Sequence, residues 1–430
     1  MYIKRAVLEN VRGFDHLDFN FERPNQRFEG WTVITGDNAS GKTTLLKAIS
    51  AALVGPDAVR SLQPSWHGWV KQGKKEAVIA VEVKGGARDR FEQGRPYERP
   101  FWAELRLTEN GGPEVSLAPG KKFVGKGKGP MHGPWADNPD GWFCAGYGPF
   151  RRLYGASPDA QRVMSGPSRI ARFATMFRED ATLGECELWL KELHHRSLER
   201  RDKNETLLDQ VKHILDSDFL QHGLRVDRVD SEGLWLKHPN GTVLPLADMS
   251  EGYRAAIAML TDILRHLTSI YGDAALVEES DGRVVVGHSG VVLIDEVDSH
   301  LHPQWQQQLG FWLKRLLPNI QFIVTTHSPI ICQAADEGGL FHLPPPGSDA
   351  HPFPVSVDDY GKIVRGKLDT IYLSPAFELT HTRSPEAVRA REQHARLRSK
   401  KAAVGLSPEE KRQLDLFEWW VKDEPAAEER

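Results

Sequence analysis

One stretch constrains the fold of this chain more than any other: "GWTVITGDNASGKTTLLKAISAAL", residues 30 to 53. Trp31 to Thr35 is an apolar, β-branched run and reads as a buried strand. Gly36 to Thr43 fits G-x-x-x-x-G-K-[ST], and "TTLLKAISAAL" then has helical spacing. Strand, glycine loop and helix follow one another in the order that a phosphate cradle requires. Gly36 and Gly41 let the backbone curl so that successive N–H groups, from Gly36 through Asp37, Asn38, Ala39, Ser40, Lys42, Thr43 and Thr44, converge on one anion. The helix N-terminus adds a favourable dipole. Lys42 is expected to reach the outer phosphates as a point charge, and the Thr43 hydroxyl to ligate Mg²⁺. The expected ligand is a nucleoside triphosphate, ATP.

Composition excludes several alternatives. With 430 residues, 40% hydrophobic and 27% charged, the chain has an ordinary globular make-up. A formal net charge of -4 gives no global basic field, so nucleic acid would need a local patch. The three cysteines, Cys144, Cys186 and Cys332, form no Cys-x-x-Cys, which argues against a disulfide scaffold or structural zinc and fits a reducing cytoplasm. "MYIKRAVLENVRGF" mixes charged and apolar residues without the apolar core of a signal peptide. No run approaches the ~18 apolar residues of a membrane span. The expected location is cytoplasmic, with no membrane partner.

Two further strand ends carry chemistry. In "SGVVLIDEVDSHLHP", Val291 to Ile294 reads as a buried parallel strand that ends in Asp295-Glu296. Acids at the C-terminal end of such a strand sit where α/β sheets bind ligands. Asp295 fits the Walker B role of holding the Mg²⁺ shell, and Glu296 that of polarising the attacking water. In "QFIVTTHSP" a second apolar strand ends in Thr325-Thr326-His327, 31 residues after Glu296. His327 there can reach the γ-phosphate. His300 and His302 are spaced i, i+2 rather than the i, i+4 of a helical zinc site. Pro303 is expected to open the next helix.

"ADMSEGYRA", residues 247 to 255, reads as a helix start with Ser250 as N-cap, yet Gly252 in the first turn disfavours the helix by roughly 1 kcal/mol relative to alanine. Together, "GDNASGKTT", "MSEGYR", "VVLIDEVDSHLHP" and "TTHSP" resemble an ABC-type ATPase head of the SMC/RecF-like branch. The resemblance implies an α/β fold: a P-loop core sheet with an antiparallel β subdomain and a short helical insertion. It also implies that "MSEGYR" is a divergent signature motif. Ser250, Glu251 and Gly252 would then face the ATP held by a second subunit, and Gly252 would serve that approach rather than the folding of its own chain. Arg12 of "LENVRGF" would contact the nucleotide, as arginines there do in relatives. Each chain would hold half of each site, so hydrolysis would need a dimer or higher oligomer of this chain.

The interval from Lys42 to Ser250 is 208 residues and contains no sustained heptad run, which excludes a long tethering coil. Residues 181 to 220 are expected to hold a short helical hairpin, dividing an N-terminal lobe (1–180) from a C-terminal lobe (221–345), with a helical extension over 346–430. "AVIAVEVKGG", "RPFWAELRLTENG" and "PEVSLAP" read as antiparallel strands. Tyr147-Gly-Pro-Phe-Arg151 resembles a "YGxxR" segment of short defence-type ATPases near the expected Q-loop but lacks its glutamine; a plain glycine-rich connection is the other reading. The loop with Lys121, Lys122, Lys126 and Lys128 is open between phosphate contact and solvent.

The last 103 residues, after His327, resemble the tails of Septu-type and retron-associated ATPases, short AAA-family proteins of bacterial defence. Residues 383 to 401 hold seven Lys or Arg against two Glu, which suits the solvated face of a helix better than a nucleic-acid patch. Phe417, Trp419 and Trp420 are candidates for docking on the head or on a partner. The overcoming-lysogenisation-defect nucleases share such a head but add a Toprim domain, whose glycine-bounded Glu and Asp-x-Asp are not found here. The expected function is an ATPase that dimerises around ATP and regulates a separate effector, a nuclease, in anti-phage defence. The alternatives are a RecF-like DNA-repair ATPase that clamps DNA and a slow ATP-binding switch.

Overall fold

The strand ahead of the glycine loop is Gly30–Thr35, and five of its six residues are buried. It lies inside a larger order, seen in a computed structural model that describes residues 1–91, 99–109, 114–124, 129–136, 139–199, 206–272, 276–280, 283–345, 347, 353–374, 376–377 and 379–421. The chain starts with β1 (Tyr2–Val11), β2 (Phe14–Asn20) and β3 (Gly30–Thr35), then α1 (Lys42–Val54) and α2 (Pro56–Leu62). Next come β4 (Glu76–Lys84), β5 (Phe101–Glu109), β6 (Val115–Pro119) and β7 (Cys144–Tyr147). Five helices follow: α3 (Pro158–Met164), α4 (Ser168–Ala171), α5 (Ala174–Phe177), α6 (Glu185–Glu199) and α7 (Leu207–Asp216). A small meander, β8 (Arg225–Asp230), β9 (Gly233–Lys237) and β10 (Val243–Pro245), precedes the long α8 (Glu251–Tyr271). The hairpin β11 (Glu278–Ser280) and β12 (Arg283–Val285) leads to β13 (Gly290–Ile294), α9 (Pro303–Leu316) and β14 (Ile320–Thr325). Then come α10 (Pro329–Cys332), β15 (Leu340–His342), β16 (Phe353–Pro354), α11 (Val357–Arg365), α12 (Leu368–Tyr372), α13 (Pro385–Ala403) and α14 (Pro408–Val421).

Two sheets organise the head. The core sheet has the order β16-β15-β3-β14-β13-β7 and is parallel except for its edge strand β16. Every residue of β13 and β14 is buried, as expected of parallel strands covered on both faces. The second sheet, β2-β1-β4-β5-β6, is antiparallel throughout. Helix α1 lies against β4 and β5 of this sheet and against β7 and β13 of the other. That position explains its sequence: eleven of its thirteen residues are buried, so it is apolar nearly all round instead of amphipathic. A polar clip joins the sheets, where the buried Gln321 side chain of β14 accepts from Ile3 N (2.7 Å) and donates to Ile3 O (2.9 Å) of β1.

Helices α6 and α7 occupy the place of the expected hairpin; Thr206 and Asp209 form a capping box at the start of α7. The turn expected near residues 200–205 falls outside the described residues. The described chain divides into two compact units, residues 1–371 with 375–377, and residues 372–374 with 378–430. In the second unit α13 and α14 pack on each other, Lys400 pairs with Glu410, and Ser407 and Glu410 close a capping box on α14. Lys126 and Lys128, and the side chains of Trp419 and Trp420, lie outside what the structure describes. Among the described residues no helix is long and apolar enough to cross a membrane.

Candidate functional site

The parallel strands β3, β14 and β13 end together, and the sequence-predicted groups gather at their C-terminal ends. Gly36 has φ +146°, and a Cβ there would lie 2.5 Å from the Leu343 carbonyl oxygen and 2.8 Å from Ser40 Oγ. Gly41 has φ +95°, and its Cβ would meet the Phe14 ring at 2.4 Å. Both positions therefore require glycine on steric and conformational grounds. Asp37, Asn38 and Ala39 are exposed at the rim of the loop, with Ala39 at φ +65°. The Ser40 hydroxyl is fully buried and has no hydrogen-bond partner among the described residues.

Lys42 folds back over the loop, its Nζ donating to Gly36 O (2.7 Å) and Asp37 O (2.8 Å). Burial pushes its pKa below the usual lysine range, against the pull of Asp295, Glu296, Asp37 and Asp298. One ammonium anchored on loop carbonyls, with carboxylates around it, suits a polyanion that arrives with a bound cation. Thr43 Oγ1 donates to Asp295 Oδ2 at 2.7 Å, across 252 residues of sequence. Thr325 Oγ1 donates to Asp295 Oδ1 at 2.6 Å and accepts from Glu296 N at 2.8 Å. Asp295 is fully buried with both oxygens engaged. A hydroxyl and a carboxylate side by side are the hard oxygen donors that Mg²⁺ prefers. Among the described residues no group of three His, Cys, Asp or Glu side chains converges as a metal site on its own.

Glu296 is half-buried in the left-handed region at φ +45°, and Ser299 Oγ donates to its Oε2 at 3.1 Å. His327 follows β14 directly and is exposed. Arg12 stacks over the Trp69 ring at 4.5 Å, and its Nη1 donates to Thr44 Oγ1 at 3.3 Å, which places its guanidinium beside the first turn of α1. Partial burial lowers its pKa. His302 is the N-cap of α9, its Nδ1 accepting from Gln304 N, and Pro303 opens that helix.

The signature residues sit apart. Among the described residues, no hydrogen bond or ion pair joins Ser250, Glu251 or Gly252 to residues 36–44. Ser250 is the N-cap of α8 but makes no side-chain cap bond, and both it and Glu251 are exposed. Glu251 faces His300, with Oε2 and Nδ1 3.7 Å apart. Gly252 corrects one expectation: a Cβ there would lie 2.6 Å from the backbone oxygen of His300. The glycine thus has a reason inside its own chain, because α8 begins flush against the loop that follows Asp295-Glu296.

Sequence reasoning missed one functional contact. Arg151 of the Tyr147-Gly-Pro-Phe-Arg stretch reaches the carbonyls of Asp295 (2.7 Å) and Glu296 (3.0 Å). The "YGPFR" stretch was visible near the expected Q-loop; the strand β7 before it and the main-chain oxygens that Arg151 reaches were not.

A glycine phosphate loop, acids at the end of a parallel strand two places away in the same sheet, and a separate helix start without a side-chain cap are the arrangement expected of an ABC-type ATPase head. A family model described as "AAA domain, putative AbiEii toxin, Type IV TA system" matches residues 170–333, and one described as "AAA domain" matches residues 5–112. The retron Ec83 probable ATPase of Escherichia coli is 36% identical over 147 residues, 34% of this chain and 24% of that protein. The Septu protein PtuA of Bacillus mycoides is 23% identical over 339 residues, 78% of this chain and 40% of that protein. The chain thus spans less than half the length of these relatives. The SMC head domain from Thermotoga maritima superposes with a TM-score of 0.41 at 15% identity, covering 83% of this chain and 100% of that one. By these matches the chain is similar to AAA-domain proteins and to the ATPases of retron and Septu defence systems.

Proposed function

We propose that this protein binds ATP with Mg²⁺ at the β3–α1 loop, hydrolyses it in a pair of heads, and uses the paired state to regulate a separate effector, a nuclease, in anti-phage defence. The observation that carries the site is the Thr43–Asp295 hydrogen bond, which brings the loop and the strand-end acid within 2.7 Å. On this reading the backbone N–H groups of residues 36 to 44 wrap the phosphates, and Lys42 exchanges its two carbonyl partners for phosphate oxygens. Thr43 and Asp295 hold Mg²⁺, which neutralises charge on the transferring phosphoryl group when bound. Glu296 orients and polarises the attacking water, with Ser299 fixing its carboxylate. His327, exposed at the end of the strand between β3 and β13, reads the γ-phosphate. Arg12 supplies a further cation at the start of α1.

The pairing rests on α8. Its first N–H groups have no side-chain cap and open on exposed Ser250 and Glu251, so they are free to take a phosphate from a second head. The effector reading rests on the sequence kinship with Septu and retron proteins. Turnover of Mg-ATP by the purified chain, with Glu296→Gln as control, tests the enzymatic part. Turnover that survives Glu296→Gln unchanged contradicts it; wild-type binding without turnover favours a slow ATP-held switch instead.

A further inference from the structure

Arg151 lies four residues beyond the end of β7 and is 5% exposed. Its described hydrogen bonds all go to main-chain oxygens: Nη1 to Gly148 and Asp295, both at 2.7 Å, and Nη2 to Glu296 at 3.0 Å and Val297 at 3.4 Å. Burial pushes its pKa down to about 10, against the pull of Asp295, Asp298 and Glu296, so it keeps its charge at neutral pH. A guanidinium presents five donors in a rigid fork, and here that fork spans three consecutive carbonyls.

Those carbonyls frame Glu296, whose φ of +45° is sparsely populated for a residue with a side chain. Such a conformation persists only where its surroundings over-determine it. From one side Thr325 does so, taking Glu296 N on its hydroxyl (2.8 Å) and Val297 N on its carbonyl (3.0 Å). Arg151 does so from the other.

The other end of the same short segment is tied to α8. Tyr147 is fully buried, and its hydroxyl donates to Asp262 Oδ2 at 2.9 Å in the middle of that helix. Burial works to raise the Asp262 carboxyl, but His266 and Arg265 hold it well below the usual carboxylate range. Tyr147 O also accepts from Asp295 N at 2.8 Å. Between the two anchors, Gly148 lies flat against α5: a Cβ there would be 2.1 Å from the Thr175 carbonyl oxygen. The segment has little room to move independently of what it touches.

We propose that Arg151 is a positioning residue for Glu296, and that the segment Tyr147 to Arg151 makes the placement of that carboxylate depend on where α8 sits. The proposal rests on the hydrolytic role assigned above to Glu296. A phosphate taken up at the start of α8 would then be felt at the water-activating group through Asp262, Tyr147 and Arg151.

The test compares wild type, R151K, R151A, Y147F, E296Q and the R151A/E296Q double variant, with Mg-ATP turnover and binding of a fluorescent ATP analogue as readouts. Misplacing a catalytic group by about 1 Å can lower a rate about 10²-fold, and that is the fall in kcat expected for R151A. Analogue affinity should stay within about 3-fold, because the segment bonds no group of the phosphate loop. R151K should fall between R151A and wild type. Y147F, which loses one hydroxyl contact, should lower kcat about 5-fold. In the E296Q background R151A should change the residual rate by less than about 3-fold, since both act through one group. Unchanged kcat in R151A, losses that multiply in the double variant, or analogue affinity that falls in step with kcat would each overturn the proposal. If R151A does not fold, R151K and Y147F carry the same comparisons. A wild-type chain that binds ATP without turnover removes the hydrolytic reading and this proposal together; wild-type turnover matched by R151A removes this proposal alone.

Discussion

Helices α1 and α8 each begin beside a glycine, and the two glycines face different neighbours. Gly41 precedes α1 in the left-handed region, under the Phe14 ring. Gly252 lies inside the first turn of α8 and touches the His300 backbone oxygen. Around α1 the chain builds a full cradle: Lys42 bonded to loop carbonyls, Thr43 on Asp295, and Arg12 on Thr44. Around α8 it supplies only a floor, and Ser250 has no cap bond. A helix start that its own chain completes can be read as a binding site by itself. On the proposed reading, one left open on one side is half of a site, and a second head supplies the other half.

Five changes break or sharpen this contrast. The largest effect is expected for Glu296→Gln: removing a general base lowers kcat by about 10²–10⁴-fold while analogue binding persists, read by steady-state turnover and titration. Next is Lys42→Ala on the completed side. A charge-assisted contact contributes about 1.5–3 kcal/mol, so ATP affinity should fall about 10–150-fold, measured by calorimetry. The two glycine substitutions set the helix starts directly against each other. Gly41→Ala imposes a side chain at φ +95° and should abolish detectable ATP binding. Gly252→Ala meets a main-chain oxygen at 2.6 Å and should destabilise the fold by about 1–3 kcal/mol in denaturant titration, with ATP binding retained and turnover reduced. The smallest change in stability is expected for Ser250→Ala. A working cap contributes about 1 kcal/mol, but Ser250 makes no cap bond, so stability should move by less than about 0.5 kcal/mol while turnover falls. Lost stability with unchanged turnover would make Ser250 an ordinary cap.

The same contrast explains what the sequence made legible. Residues 30 to 53 declare strand, loop and helix because every feature is local: a β-branched run, two spaced glycines, then helical spacing. Val291 to Ile294 is readable as a parallel strand because burial on both faces leaves no polar position. Contacts between distant residues left no such trace. The Gln321 clip on Ile3 spans 318 residues, and nothing in the pattern of β14 marks that glutamine as buried. Arg151 stands in an otherwise plain glycine-proline connection, and its partners are carbonyls, which any residue could provide. Gly252 was legible as an oddity, but the sequence could not show the His300 oxygen beside it. Family likeness supplied the reading of an intermolecular role and concealed the intramolecular one.

The central claim is that α8 offers half of a site which a second head completes. Native mass measurement of Glu296→Gln, with and without Mg-ATP, tests it most directly, because this variant should hold ATP without completing hydrolysis. The account predicts a species of two chains with two nucleotides that appears with Mg-ATP and is lost on adding Ser250→Arg. A single chain with one ATP at saturating nucleotide would contradict it.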